Sequence, residues 1–245
     1  MNTKKNNFKN MTLSEIAIEN LNYTEIFEKY GLDFCCNGNV NYSEACKNKG
    51  IDENKLADEL NGVSKMKNEK ENYDKWKLDF LVDYIINNHH HYIVESVPKI
   101  NEHLKKIVVK HSDNHPELAE ITKSFSVVSK ELQLHMVKEE KILFPYIKHM
   151  VLVHIGKAKN EAPYFGKVEN PIRMMEEEHI IAGDIFKKIR ELSINYNIPD
   201  DACVTFNMTM VELKEFEEDL HKHIHLENNI LFPKSIIMEE EILNS

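Results

Sequence analysis

From about residue 73 onward, apolar side chains recur at alternating steps of three and four along four long stretches. The first predicted helix runs from about Tyr73 to Lys110, with a kink expected near Pro98, and carries Ile86, His90, Ile93, Val97, Ile100, Leu104 and Ile107. The second starts near Pro116 and shows Leu118, Ile121, Phe125, Val128, Leu132, His135, Glu139 and Ile142. The third opens at Pro171 with Ile172, Met175, His179, Ala182, Phe186 and Ile189. The fourth opens near Asp200 with Phe206, Met210, Leu213, Phe216, Leu220, His223, Glu227 and Ile230. Steps of three and four mark the inward stripe of a helix packed in a bundle. Each stripe carries a histidine where a leucine would otherwise serve, so the pattern predicts an all-α, antiparallel four-helix bundle with polar groups inside.

The chain before that bundle reads differently. Short helical segments are expected at about 13–21, 24–30, 42–49 and 53–60, with Gly31 and Gly50 as stops. The charged, apolar-poor stretch 62–72 reads as a linker. The expected organisation is thus a small helical module over 1–61, the linker, and the bundle over 73–245.

Composition narrows the class without changing it. Seven glycines and seven prolines in 245 residues favour long helices over a turn-rich β architecture. A net charge of −10 argues against a nucleic-acid partner held by a basic surface. No apolar run is long enough for a membrane span and no targeting segment is evident, so a cytoplasmic location is expected. Four cysteines are present; Cys35 and Cys36 are adjacent, which argues against a cross-link framework and fits a reducing compartment. Both are expected to be accessible, because they lie between turns, whereas Cys46 and Cys203 are expected to pack.

The candidate chemistry lies in a repeated motif. His-x3-Glu-x2-Ile-Leu-Phe-Pro occurs at His135–Glu139 and again at His223–Glu227. Four residues make about one helical turn, so each histidine stacks on its glutamate. The intervals from His90 to His135, His179 and His223 are 45, 44 and 44 residues, which suits a hairpin returning to the same depth each time. Four imidazoles and two carboxylates therefore meet in one layer, with a pseudo-two-fold axis through it. Metal coordination is the usual way to satisfy such groups in an apolar interior. The N and O ligands without thiolate point away from structural zinc, and calcium or magnesium would want more oxygen. Two carboxylates able to bridge, with two imidazoles per metal, suit a pair of non-haem iron ions with an oxo or hydroxo bridge; manganese or zinc pairs share these ligand types. His89 and His91 flank His90 and remain alternatives to it. Glu131 and Glu178 are candidates for a supporting shell or an access path. Glu140 is expected to face solvent, as are His103, His111, His115, His149, His154, His221 and His225.

Several segments resemble the iron–sulfur cluster repair di-iron proteins, the RIC (repair of iron centres) family, whose bundle is hemerythrin-like. They are "TEIFEKYGLDFCCNGN" and "EAC" in the module, then "ELQLHMVKEEKILFP", "PIRMMEEEHIIAGDI", "DACVTF" and "DLHKHIHLENNILFP". The resemblance implies ligands His90, His135, Glu139, His179, His223 and Glu227, the set reached from spacing. It further implies a stress-response role in restoring damaged iron–sulfur clusters, with those proteins as clients and NO or O2 as small ligands. One departure is that the loop reads Cys-Cys-Asn-Gly, where a second glycine is more usual. Four stripe histidines, against five in oxygen-carrying hemerythrins, favour iron delivery or NO chemistry over oxygen storage. Thiols at Cys35 and Cys36 could accept oxidation or NO, or hold iron transiently. Catalytic reduction of NO or peroxide, and gas sensing without turnover, are the competing readings; a second copy of the chain is a further candidate partner.

Overall fold

The computed structural model describes residues 8–66 and 73–244. Four short helices come first: α1 (Leu13–Glu19), α2 (Tyr23–Tyr30), α3 (Tyr42–Lys49) and α4 (Glu53–Met66). Thr12 and Glu15 form a reciprocal cap on α1, and Asn41 caps α3 at 2.9 Å. Gly31 and Gly50 end α2 and α3 with φ of 61° and 66°, the left-handed stop expected of them. Phe8, Tyr23, Phe27, Phe34 and Tyr42 fill the centre of this module, each 1% exposed or less. A buried ring of this kind contributes about 2–3 kcal/mol relative to exposure. The expected linker starts too early, since α4 continues to Met66; the rest of that stretch, 67–72, lies outside the described residues.

Four long helices follow. Leu78–Ile85, a π-helical turn at Ile86–His90 and His91–His111 run on as one helix, α5. Glu117–Lys138, a π-turn at Glu139–Leu143 and Phe144–His154 form α6. Glu169–Leu192 is α7, unbroken. Val204–Leu226, a π-turn at Glu227–Leu231 and Phe232–Leu243 form α8. Each packs against its neighbours in sequence, and α8 closes on α5. This is the antiparallel four-helix bundle that the stripes predict. The kink expected at Pro98 is not there; Pro98 lies inside regular helix, and the irregularity falls at Ile86–His90 instead.

The predicted stripes are buried with two exceptions, Ile86 and Ile142, each half-buried at a π-turn. A π-turn inserts about one extra residue, which rotates the helix beyond it. Ile85 and Leu143 take the interior places instead. The apolar interior falls into two clusters. One joins the N-terminal module to the Ile93–Ile107, Leu118–Leu132 and Phe206–Leu220 side of the bundle. The other contains Leu78–Ile85, Leu143–Val151, Ile172, Met175 and Leu226–Phe232. The polar layer lies between them.

Candidate metal centre

All three π-turns fall at the polar layer and include or adjoin its residues: His90 ends one, and Glu139 and Glu227 begin the others. Local π geometry is costly and is found mostly where it aims a functional side chain. The result is two groups of ligand atoms, each within 4.8 Å of one another: His90, Glu139, His223 and Glu227, and His135, Glu139, His179 and Glu227. Both carboxylates belong to both groups, and each oxygen serves a different imidazole. Glu139 turns Oε2 to His90 Nε2 at 3.4 Å and Oε1 to His135 Nε2 at 3.3 Å. Glu227 turns Oε1 to His223 Nε2 at 3.0 Å and Oε2 to His179 Nε2 at 3.1 Å. Two carboxylates spanning two imidazole pairs is the arrangement read from the sequence spacing.

The cage is shielded from solvent and asks for positive charge. Both glutamates are completely buried, and their four oxygens face only imidazole Nε2 atoms at 3.0–3.4 Å, none in hydrogen-bond geometry. Burying two such anions without compensation costs several kcal/mol each. Burial and the neighbouring Glu227 push the Glu139 carboxyl up, yet His135 and His90 hold it below its ordinary value. His135 shows the complement. Burial pulls it down, but the charge of Glu139 beside it, with Glu178 on its other nitrogen, lifts it to about 10. His135 Nε2 and His179 Nε2 face each other at 3.0 Å, while their Nδ1 atoms point outward to Glu178 and Asn228. Two imidazole lone pairs so placed need a cation between them, a proton on His135 or a metal ion. The residues present therefore fit a pair of metal ions, and N and O donors without thiolate fit iron.

Outward hydrogen bonds fix three of the four rings. Glu178 accepts from His135 Nδ1 at 2.9 Å and also pairs with Lys138; the hydrogen bond to His135 leads in holding its carboxyl down to about 2. Glu140 takes His90 Nδ1 at 2.8 Å, and Asn228 takes His179 Nδ1 at 2.8 Å. His223 Nδ1 has no partner. Such outer contacts select the tautomer that leaves Nε2 free for metal. Glu178 was anticipated as a supporting residue. Glu131 is exposed and makes no hydrogen bond to the four rings; it lines a cleft of about 220 Å³ with Leu134, His135, Lys138, Glu178 and Ile181.

Several sequence expectations are corrected here. Glu140 does not simply face solvent, because its side chain reaches across to α5. His90 is the ring in the cage: His91 is exposed, and His89 is buried outside both groups, bonded through Nδ1 to Asp219 at 3.0 Å. His225 is buried at 1% exposure rather than solvated, because the Phe34 edge covers it with ring centroids 5.7 Å apart. His111 is buried against Phe206 at 5.4 Å, and His221 is mostly covered by the module and bonded to Glu28. Cys35 is buried and Cys36 half-buried, so only the second thiol meets the expectation of access. Their Sγ atoms are 3.8 Å apart, and the Cys35 thiol is pushed well up by its hydrogen bond to Cys36 and by burial. Cys46 and Cys203 pack on the core as expected. What sequence periodicity missed are contacts between helix faces and the docked module; the Asn-Asn pair after Glu227 was the one local signal.

Two family models match. A hemerythrin HHE cation binding domain covers residues 81–235, and a domain of unknown function covers 9–64. The chain is 33% identical to a probable iron–sulfur cluster repair protein of Haemophilus influenzae, over 93% of this chain and 97% of the relative. It is 31% identical to the iron–sulfur cluster repair protein YtfE of Escherichia coli O81, over 95% and 99%. It is 29% identical to the iron–sulfur cluster repair protein ScdA of Staphylococcus haemolyticus, over 86% and 90%. Among the described residues no helix is long and apolar enough to cross a membrane.

Proposed function

The chain belongs to the hemerythrin HHE cation-binding family and, within it, to the iron–sulfur cluster repair proteins, and on that premise we propose that it is a di-iron protein that restores clusters damaged by oxidative or nitrosative stress. The observation that carries this reading is the doubled cage, in which each carboxylate presents one oxygen to each imidazole pair. His90 and His223 would hold one iron, His135 and His179 the other, with Glu139 and Glu227 between them. Bound there, iron supplies a one-electron couple and a ferrous ion that can be given up to a damaged cluster.

The protein's own part is positioning and exclusion. Glu178, Glu140 and Asn228 keep three imidazoles in the tautomer whose Nε2 faces inward. The apolar clusters on either side of the layer keep bulk water out, so carboxylate charge is not screened. A cleft lined by His135 approaches the layer from outside, with Lys138 and Glu178 paired among its lining residues. Damaged iron–sulfur proteins are the clients in this reading, and the cytoplasm is the expected setting.

A second reading, catalytic reduction of NO or peroxide, is favoured by that same cleft, whose volume of about 220 Å³ admits a diatomic. Transfer of labelled iron from this protein to a cluster protein lacking iron, anaerobically, separates the two. Stoichiometric transfer with recovery of client activity supports repair. Retained iron with repeated turnover of NO supports the enzyme, and a spectral response to NO with neither leaves a gas-binding module.

A further inference from the structure

The thiol loop and the metal layer are joined through one side chain. Asn228, on α8 one residue beyond Glu227, turns Oδ1 to His179 Nδ1 at 2.8 Å and Nδ2 to the Cys35 carbonyl at 3.3 Å. A backbone carbonyl can only accept, so the amide nitrogen of Asn228 must face Cys35. Its oxygen must then face His179, and His179 Nδ1 must carry the proton. That leaves His179 Nε2 as the lone pair aimed into the cage. The peptide carbonyl of Cys35 thereby selects the tautomer of a buried imidazole that it does not touch.

His179 is the one candidate ligand held in this way. His90 and His135 are fixed by the carboxylates of Glu140 and Glu178, which belong to the bundle itself. A second thread runs beside the first: Cys36 Sγ lies 3.7 Å from the His179 backbone carbonyl as a weak donor. The same sulfur lies 3.5 Å from where a Cβ on Gly183 would stand, so the thiol is seated closely on α7. Asn229 holds the next carbonyl back, that of Phe34, at 3.2 Å.

We propose that Asn228 is a positioning residue that couples the Cys35–Cys36 loop to His179, so that metal occupancy and the chemical state of the thiols depend on each other. Cys36 lines a cleft of about 320 Å³ with Asp33, Asn37, Gly183 and Asp184, so a reagent can reach its sulfur. A substituent there removes the thiol hydrogen that faces the His179 carbonyl and displaces the loop from α7, which withdraws the Cys35 carbonyl from Asn228. The amide is then free to turn over, and His179 gains access to the tautomer whose Nε2 carries hydrogen and cannot bind metal. Binding free energies are reciprocal, so a metal ion on His179 must in turn hold the loop and hinder reaction at Cys36. The inference rests on the di-iron reading of the cage.

The test uses the full chain, with and without ferrous iron loaded anaerobically, and measures alkylation of Cys36 by iodoacetamide. In that reaction the thiolate sulfur displaces iodide and the thiol proton passes to buffer; peptide mass spectrometry separates Cys36 from the other three cysteines. Iron should slow alkylation several-fold in the native chain and leave it unchanged in Asn228→Ala, whose iron affinity should also fall by about ten-fold, as is common for outer-contact losses. Asn228→Asp keeps an acceptor for His179 but sets a carboxylate against the Cys35 carbonyl. It should keep iron affinity near native and still lose the protection, a split that general misfolding would not give. Equal alkylation rates in loaded and iron-free native chain, at two bound irons, would overturn the coupling and leave the di-iron reading standing. Protection that persists in Asn228→Ala would show that iron shields the thiols directly, which also overturns it. A native chain that binds no iron would remove the di-iron reading and this inference together.

Discussion

His221 on α8 donates through Nδ1 to the Glu28 carboxylate on α2 at 2.5 Å, a charged link between the bundle and the N-terminal module. Burial alone would lower the imidazole, but the hydrogen bond and charge of Glu28, helped by Glu217 and Cys36, raise it to about 8. A pKa raised above the ordinary 6.5 contributes stability that is complete below pH 6.5 and is lost as pH climbs through 8. The linkage amounts to about 2 kcal/mol at most. Urea unfolding of the metal-free chain at pH 6.5 and pH 8.5 should therefore show a larger loss for the native protein than for His221→Gln. Parallel pH profiles would remove the link.

The loop after α7 holds three consecutive residues in the left-handed region, Ile194, Asn195 and Tyr196, with φ of 51°, 59° and 58°. Tyr196 repays the geometry by donating its phenol to buried Glu217 at 2.8 Å. Ile194 is 77% exposed and has no such compensation. A β-branched residue there carries about 1–2 kcal/mol of strain, part of which the extra chain entropy of glycine cancels. Ile194→Gly should raise stability by about 1 kcal/mol, read as a shift in the denaturation midpoint; a loss would refute the strain.

Gly38 closes the cysteine loop where no side chain fits. A Cβ there would stand 2.4 Å from the Phe34 carbonyl oxygen and 2.8 Å from Ser14 Cβ. Gly38→Ala should cost at least about 2 kcal/mol, within the range of severe backbone conflicts, and should loosen Cys36 toward faster alkylation. Gly62, inside α4, has nothing within 4 Å of its would-be Cβ. Gly62→Ala should instead stabilise by up to about 1 kcal/mol, and thermal melts of the two variants should move in opposite directions.

His135→Ala and Glu227→Leu should each bind far less iron than the native chain while keeping its helical circular dichroism. Unchanged iron in both would refute the ligand assignment. Removing iron from the native protein should lower its melting temperature, since a ligand bound to the folded state alone stabilises it by mass action.

Cys35→Ser combined with Cys36→Ser should leave the di-iron absorption spectrum largely in place and weaken repair of a damaged client. Loss of that spectrum would make the thiols ligands. A full repair rate would take them out of the function.

The antiparallel bundle and its six converging side chains were written in local periodicity. Helical spacing and hairpin length fix which residues share a face and a depth, and both survive any detail of packing. Residue type alone carried the stops at Gly31 and Gly50, because a left-handed helix end depends on one or two neighbouring residues. Periodicity could not place the three π-turns, so it put Ile86 and Ile142, both half-buried, in interior places that Ile85 and Leu143 take. Nor could it see Glu140 reaching His90 across two helices, or the module burying His225 and Cys35. The link from Cys35 through Asn228 to His179 spans residues far apart in sequence. Contacts of that kind depend on how two folded surfaces dock, and docking is decided by the sum of many weak contacts that no short window of sequence contains.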